Sequence, residues 1–252
     1  MELLKYGQLG VTVSESEEEM AELAAADFAR LARSELEKRQ GIAVILSTGN
    51  SQLGFFRALR LQEIEWSRIT VLVADEYVGL APSDPRSLHS VMQKNLIEHV
   101  RPRAFLGFHG DCEPIEDELT RYGDVVREHE PVICVLGIGE NGHLGFNDPP
   151  ADLSTDEGVR IQELDEGCRN QQVGEGHFPS LEAVPRFGLT QSVPALLAPK
   201  ALLVVVPDER KARAVRDALE GPVTPACPAS ILQSQAHAHL YLDRNSAALL
   251  QR

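Results

Sequence analysis

Apolar residues recur along this chain in two alternating rhythms. Short unbroken runs, Ile42 to Leu46, Ile69 to Ala74, Val132 to Leu136, Ala201 to Val206 and His239 to Leu242, read as buried strands. Between them, Leu53 to Leu61, Ser87 to His99, Pro114 to Glu128 and Glu209 to Glu220 carry helical spacing, the last closed by Gly221-Pro222. Ahead of the first strand, Ser14 and Ser16 with Glu17 and Glu19 form capping-box patterns, and an Ala/Leu-rich segment continues helically to Lys38 before Gly41. This β/α alternation predicts an α/β fold: a doubly wound, mostly parallel, Rossmann-like sheet in three α/β/α layers. Residues 1–252 read as one domain. The span from Ala151 to Phe187, glycine-rich and without a strong period, reads as a lid excursion from it.

Composition narrows the partners. A chain of 252 residues with 43% hydrophobic content can bury its own core. A formal charge of -14, from 24 Lys+Arg against 38 Asp+Glu, argues against nucleic acid or an anionic membrane, so an anionic ligand must be caught locally. No apolar run is long enough to span a bilayer, and the acidic N-terminus lacks the basic start of a signal peptide, which points to the cytoplasm. Cys112, Cys134, Cys168 and Cys227 are scattered, with no C-x-x-C pair and no His at metal-ligand spacing; buried thiols are expected, and neither metal nor organic cofactor. The oligomeric state stays open, a homo-oligomer included.

Chemistry concentrates where predicted strands end. The segment Val132 to Pro150 runs from a strand into Gly137, Gly139 and Gly142, with His143 and Asp148 just beyond. Those glycines spell G-x-G-x-x-G, yet Phe146-Asn147-Asp148-Pro149-Pro150 cannot continue as the helix that a dinucleotide turn requires, so a loop closing on a small ligand is expected. The first strand ends in Ser47-Thr48-Gly49-Asn50-Ser51, hydroxyls and backbone donors before a helix, suited to a phosphate. The second ends in Asp75-Glu76, adjacent carboxylates that cannot both reach one ligand atom, which predicts one catalytic and one structural group. If these strands are parallel, the three loops share one edge and one pocket. The other histidines, His177 among them, read as packed or surface residues.

At these residues the sequence resembles the glucosamine-6-phosphate deaminase/isomerase family, which shares its fold with the 6-phosphogluconolactonases. The resemblance rests on Ser47 to Ser51, Asp75-Glu-Tyr-Val-Gly-Leu80 with Ser87-Leu-His89, Leu136-Gly-Ile-Gly-Glu-Asn-Gly-His143 with Phe146-Asn147, and Lys211-Ala212. It implies that glucosamine 6-phosphate is isomerised and deaminated to fructose 6-phosphate and ammonia. Ser47 to Ser51, Lys211 and Arg169 would bind phosphate, His143 would open the pyranose ring, and Asp75 would shuttle a proton between C2 and C1. Two positions depart from the family pattern. Asn141 stands where Asp is usual, able to orient the imidazole by a hydrogen bond but bringing no charge, and Asp148 stands where Glu is usual. They leave open a deaminase for an epimeric amino sugar phosphate. A 6-phosphogluconolactonase would carry Arg after the Asp-Glu pair and Ser-Leu-Phe-Pro after the histidine, where this chain has Tyr77 and Phe146-Asn147-Asp148-Pro149. Sugar-phosphate sensors of this fold in transcription regulators carry a DNA-binding segment, for which one helix before Ile42 leaves no room, so the non-catalytic alternative that stays open is a degenerate sugar-phosphate binder, suggested by Asn141.

Overall fold

A computed structural model describes residues 1–251. Eight strands form the main sheet: β1 (Glu2–Tyr6), β2 (Leu9–Ser14), β3 (Ile42–Leu46), β4 (Ile69–Val73), β6 (Ala104–Leu106), β7 (Ile133–Leu136), β10 (Ala201–Val206) and β11 (Ala238–Asp243). The remaining three, β5 (Asp75–Tyr77), β8 (Val159–Glu163) and β9 (Phe187–Gln191), form a small antiparallel sheet in the order β5-β9-β8. The main sheet runs β1-β2-β11-β10-β7-β3-β4-β6, parallel throughout except for the β1-β2 hairpin. All five strands expected from the apolar runs are present and mutually parallel, and they carry a helical layer on each side.

Side-chain alternation shows why the runs are apolar on both faces. Val44, Leu46, Val71, Val73, Ile133, Val135, Leu203 and Val205 point into one core, with Met20, Phe28, Phe55 and Phe56. Their neighbours Ala43, Ile45, Leu72, Cys134, Leu136, Leu202, Val204 and Val206 point into the other, with Val215, Leu219 and Leu232. Helix α1 (Glu17–Leu36) starts at Ser16, whose side chain accepts from Glu19 N, and buries Met20, Ala24, Phe28, Ala32 and Leu36 on one stripe. The remaining helices are α2 (Leu53–Leu59), α3 (Leu88–Met92), α4 (Glu98–Val100), α5 (Ile115–His129), α6 (Glu166–Gly174), α7 (Val193–Leu197) and α8 (Ala212–Glu220). The stretch expected as one helix from Ser87 to His99 is interrupted by a π-turn at Gln93–Ile97.

Strand order fixes where a ligand can sit. From β3 the chain winds outward to β4 and β6, then returns to lay β7 on the other side of β3. The loops leaving β3 and β7 therefore diverge at the switch point of the sheet, the place where open α/β sheets leave a crevice. The span 151–187 is not featureless: it holds β8 and α6, and β8 pairs with β9, which pairs with β5. Two cysteines, Cys134 and Cys168, are buried as expected; Cys112 and Cys227 are only half-buried, a correction, since Cys112 lies in a turn and Cys227 packs only at the margin of one core. No helix among the described residues is long and apolar enough to cross a membrane.

Candidate active site

Strand β4 leaves the main sheet one residue before the first carboxylate. Tyr122 of α5 holds its end, the hydroxyl accepting from Val73 N (2.9 Å) and donating to Val73 O (2.8 Å). Asp75 then joins the small sheet opposite Thr190. The two adjacent carboxylates divide as alternation on a strand requires. Asp75 faces the cavity, whereas Glu76 turns away and accepts three backbone N-H groups: Tyr77 (2.8 Å) and Leu88 (2.9 Å) on Oε1, and His89 (2.8 Å) on Oε2. Burial, reinforced by the charge of Glu76, pushes the Asp75 carboxyl up to about 8. Glu76 is also raised by burial, to about 7, against the pull of those three donors.

The β7 loop brings the imidazole. A Cβ at position 139 would lie 2.2–2.4 Å from the His143 ring, so glycine there is what lets the imidazole fold back on the strand end. Gly145 adopts φ +60°, and a Cβ there would press on Thr190 Oγ1 at 2.9 Å and approach Asp75 Oδ2 at 3.4 Å. No helix follows in residues 137–150, in keeping with the rejection of a dinucleotide turn. His143 Nδ1 lies 3.1 Å from Asp148 Oδ1, off the direction of a good hydrogen bond. Asp148, buried behind the ring, is held below the usual carboxylate range: burial raises it, but His143, Asn141 and the Asp165 backbone N-H together outweigh that.

Asn141 does not act on the ring in the way the sequence suggests. Its Oδ1 accepts from the His143 backbone N (3.0 Å), and its Nδ2 donates to Asp148 Oδ1 (3.0 Å) and Asp165 Oδ2 (2.7 Å). The amide thus addresses the backbone and two carboxylates, and reaches the imidazole only through Asp148.

The other end of the cavity is polar without being strongly basic. Ser47, Thr48, Gly49, Asn50, Ser51 and Lys211 all line the cavity. The Ser47 N-H is committed to Val135 O (2.9 Å), so Ser47 offers its hydroxyl; Ser47 Oγ and Thr48 Oγ1 have no partner within the protein. Lys211 lies at the end of a 3₁₀ turn (Glu209–Lys211) entered through Asp208 at φ +85°, a conformation unusual for a residue with a side chain. Its side chain is buried, not solvated, and burial lowers its pKa despite the nearby Glu175.

Arg169 requires correction. Its Nη2 donates to the carbonyls of Leu181 (2.6 Å) and Val184 (3.2 Å), which ties α6 to the segment behind it, and it is absent from the cavity wall. In its place the span 151–187 supplies Gln171, Gln172, Glu175 and His177. Glu175 Oε1 accepts from Gln171 Nε2 (2.7 Å), and Oε2 lies 3.4 Å from His177 Nε2. Arg86, paired with Asp84 and placed over the Phe178 ring, stands at the rim. The four residues of the span had no sequence signal beyond lying in an aperiodic, polar stretch, whereas Arg86 stands just before the Ser87-Leu88-His89 motif.

One group among the described residues could converge on a metal: His143, Asp148 and Cys168, with ligand atoms within 4.8 Å of one another. They fit a metal poorly. Burial pushes the Cys168 thiol well above its ordinary value, away from the thiolate a metal needs, and both Asp148 oxygens are already hydrogen-bonded.

A family model described as glucosamine-6-phosphate isomerases/6-phosphogluconolactonase matches residues 15–158. A glucosamine-6-phosphate deaminase of Exiguobacterium sibiricum is 36% identical over 236 residues, 92% of this chain and 91% of that protein. One from Bacillus cytotoxicus is 31% identical over 96% of this chain and 89% of its own length. Among solved structures, a monomeric glucosamine-6-phosphate deaminase aligns with TM-score 0.86 at 29% identity, covering 95% of this chain and 99% of that one. A 6-phosphogluconolactonase from Thermotoga maritima aligns with TM-score 0.74 at 16% identity over 92% and 98%, a likeness of fold alone. With the strand-end loops, the switch-point cavity and these matches in agreement, the chain belongs to the glucosamine-6-phosphate isomerase/6-phosphogluconolactonase family.

Proposed function

We propose that this protein converts glucosamine 6-phosphate and water to fructose 6-phosphate and ammonia. The observation that carries the reading is a single cavity with two unlike ends: unpartnered hydroxyls and a buried cation at one, a raised carboxyl and an imidazole at the other. Lys211 and the Ser47–Ser51 loop hold the phosphate dianion, a charge-assisted contact that an acidic protein must build locally. His143 passes a proton between the ring oxygen and the C1 hydroxyl, which opens the pyranose to the aldehyde. Asp75, once ionised, takes the C2 proton while the C1 oxygen gains the proton that the ammonium group gives up, which forms an enolamine; return of the carbon-bound proton places that electron pair in a new C1-H bond, and the nitrogen lone pair closes the C2 iminium. Water adds to C2 and ammonia leaves, so the carbonyl remains at C2.

Burial suits Asp75 to this work, because a carboxyl that titrates near 8 is far closer in basicity to a carbon acid than one in water. The Asp148 carboxylate lies behind the imidazole, 3.1 Å from its Nδ1, and presents its negative charge to the ring. The two relatives named as glucosamine-6-phosphate deaminases support this reaction over lactone hydrolysis. Incubation of the purified protein with glucosamine 6-phosphate, its galactosamine epimer and 6-phosphogluconolactone, following ammonia, ketose phosphate and acid, tests it. Ammonia and ketose phosphate in equal amounts are expected; acid from the lactone without ammonia would replace the proposal with a lactonase.

A further inference from the structure

Asp165 lies outside the cavity wall, yet it is bonded to the group that backs the imidazole. Three contacts define it. Its backbone N donates to Asp148 Oδ2 (3.0 Å), its Oδ1 accepts from Cys168 N (2.6 Å) as the N-cap of α6, and its Oδ2 accepts from Asn141 Nδ2 (2.7 Å). Asn141 Nδ2 has two hydrogens, and Asp148 Oδ1 at 3.0 Å takes the other. Because Asn141 Oδ1 already accepts from His143 N, the amide can adopt only one orientation here. An amide at position 141 is therefore the sole neutral group that can join two carboxylates and a backbone donor at once.

We propose that Asp165 is a positioning residue for the reaction: through Asn141 it fixes the Asp148 carboxylate behind His143, and it couples that carboxylate to the start of the helix that carries Gln171 and Gln172 into the cavity. The inference rests on the role of His143 in the proposed deamination. Its physical content is an obligate arrangement. A carboxylate at 141 would set three anions within hydrogen-bond distance, so Asp at 141 and Asp at 165 exclude one another. Removing the 165 carboxylate frees one Asn141 hydrogen and leaves the amide anchored only by the His143 backbone N and Asp148 Oδ1, so that the Asp148 oxygen is held by a looser partner while its second oxygen keeps the backbone N-H of residue 165.

Asp165→Ser separates this role from helix capping, since serine caps as well as aspartate but cannot reach Asn141 as a carboxylate. The expected result is a fall in kcat of about tenfold or more, with KM within about threefold and an unfolding midpoint within a few degrees of wild type. Asn141→Asp should lose more than this. In the Asp165→Ser background the same Asn141→Asp change should cost about tenfold less than it does alone. A kcat unchanged in Asp165→Ser, or effects that simply multiply in the double variant, would overturn the proposal. If Asp165→Ser fails to fold, Asp165→Thr keeps a hydroxyl cap and carries the same test. Should wild type release no ammonia, the reading of the site falls by itself. The positioning claim is then decided by the ¹⁵N ring signals of His143, which should differ between wild type and Asp165→Ser; identical signals would refute it.

Discussion

The edge of the main sheet and the span 151–187 both line the cavity, but they are built differently. Ser47 to Ser51 and His143 sit within a few residues of strands β3 and β7, whose Cα registers are set by neighbours on both sides and whose side chains fill two cores. Gln171, Gln172, Glu175 and His177 ride on α6 and the turn after it, held by Arg169 on two carbonyls, by Asp165 on Asp148 and by Asn50 Nδ2 on Glu175 O (3.3 Å). The first region is fixed by two large apolar cores, the second by a small cluster that sets Leu164, Cys168, Phe178 and Val184 against Tyr77 and Phe146, together with those hydrogen bonds. His143 and the Ser47–Ser51 loop lie on the first, and the second adds Gln171, Gln172, Glu175 and His177 to the cavity wall.

The contrast breaks if residues just past the main-sheet strands, among them Asp75 where the chain passes from β4 into β5, can be removed at little cost. Asp75→Asn should lower kcat by about a thousandfold or more, with ligand binding retained, and should abolish solvent-deuterium incorporation into the ketose product. Wild-type kcat/KM should rise as pH rises through about 8, because the base acts only when ionised. Its stability should run the other way. Between the unfolded carboxylate value and about 8 the folded state binds the extra proton, so stability falls as pH rises through that window. Asp75→Asn should therefore gain on wild type with pH, by about 1 kcal/mol or more near neutrality, or roughly 2–4 °C in the unfolding midpoint. A midpoint difference that does not vary with pH would mean that Asp75 is not held protonated.

His143→Gln should lower kcat about a hundredfold on the closed sugar and much less on open-chain substrate, as expected for a ring-opening group; equal losses on both would move its role to a later step. Lys211→Ala should raise KM by about 10- to 150-fold, following the phosphate, and leave unphosphorylated glucosamine nearly indifferent. Arg169→Met gives the smallest catalytic effect and sharpens the contrast most. KM should stay within about threefold, while loss of its carbonyl contacts should lower stability by about 1–2 kcal/mol in thermal unfolding. A KM loss matching that of Lys211→Ala would return Arg169 to the phosphate.

Reading the sequence found the sheet edge because a parallel strand and the loop after it are one local pattern. An apolar run buried on both faces, a breaker, then polar residues can be recognised without knowing the neighbours. Strands β5, β8 and β9 escaped for the opposite reason. β5 has only three residues and pairs with β9 across more than a hundred positions of sequence, while β8 is half exposed, lacks an apolar run, and finds β9 only across the intervening α6. Arg169 was misread on the same account: charge and neighbourhood suggested phosphate, and only the fold of the 181–184 segment supplied nearer acceptors. His177 gave no sign of facing the cavity.

By itself, then, the sequence determined the parallel core, the edge at which its loops gather, and the residue types able to bind phosphate and move protons, since these follow from periodicity and intrinsic chemistry. Tertiary structure alone decided which of two adjacent carboxylates is driven toward 8 by burial and which is tied to the start of α3, and it turned Asn141 from the imidazole to a bridge between Asp148 and Asp165. Desolvation and hydrogen-bond direction depend on atoms brought together from distant parts of the chain, and no local pattern encodes them.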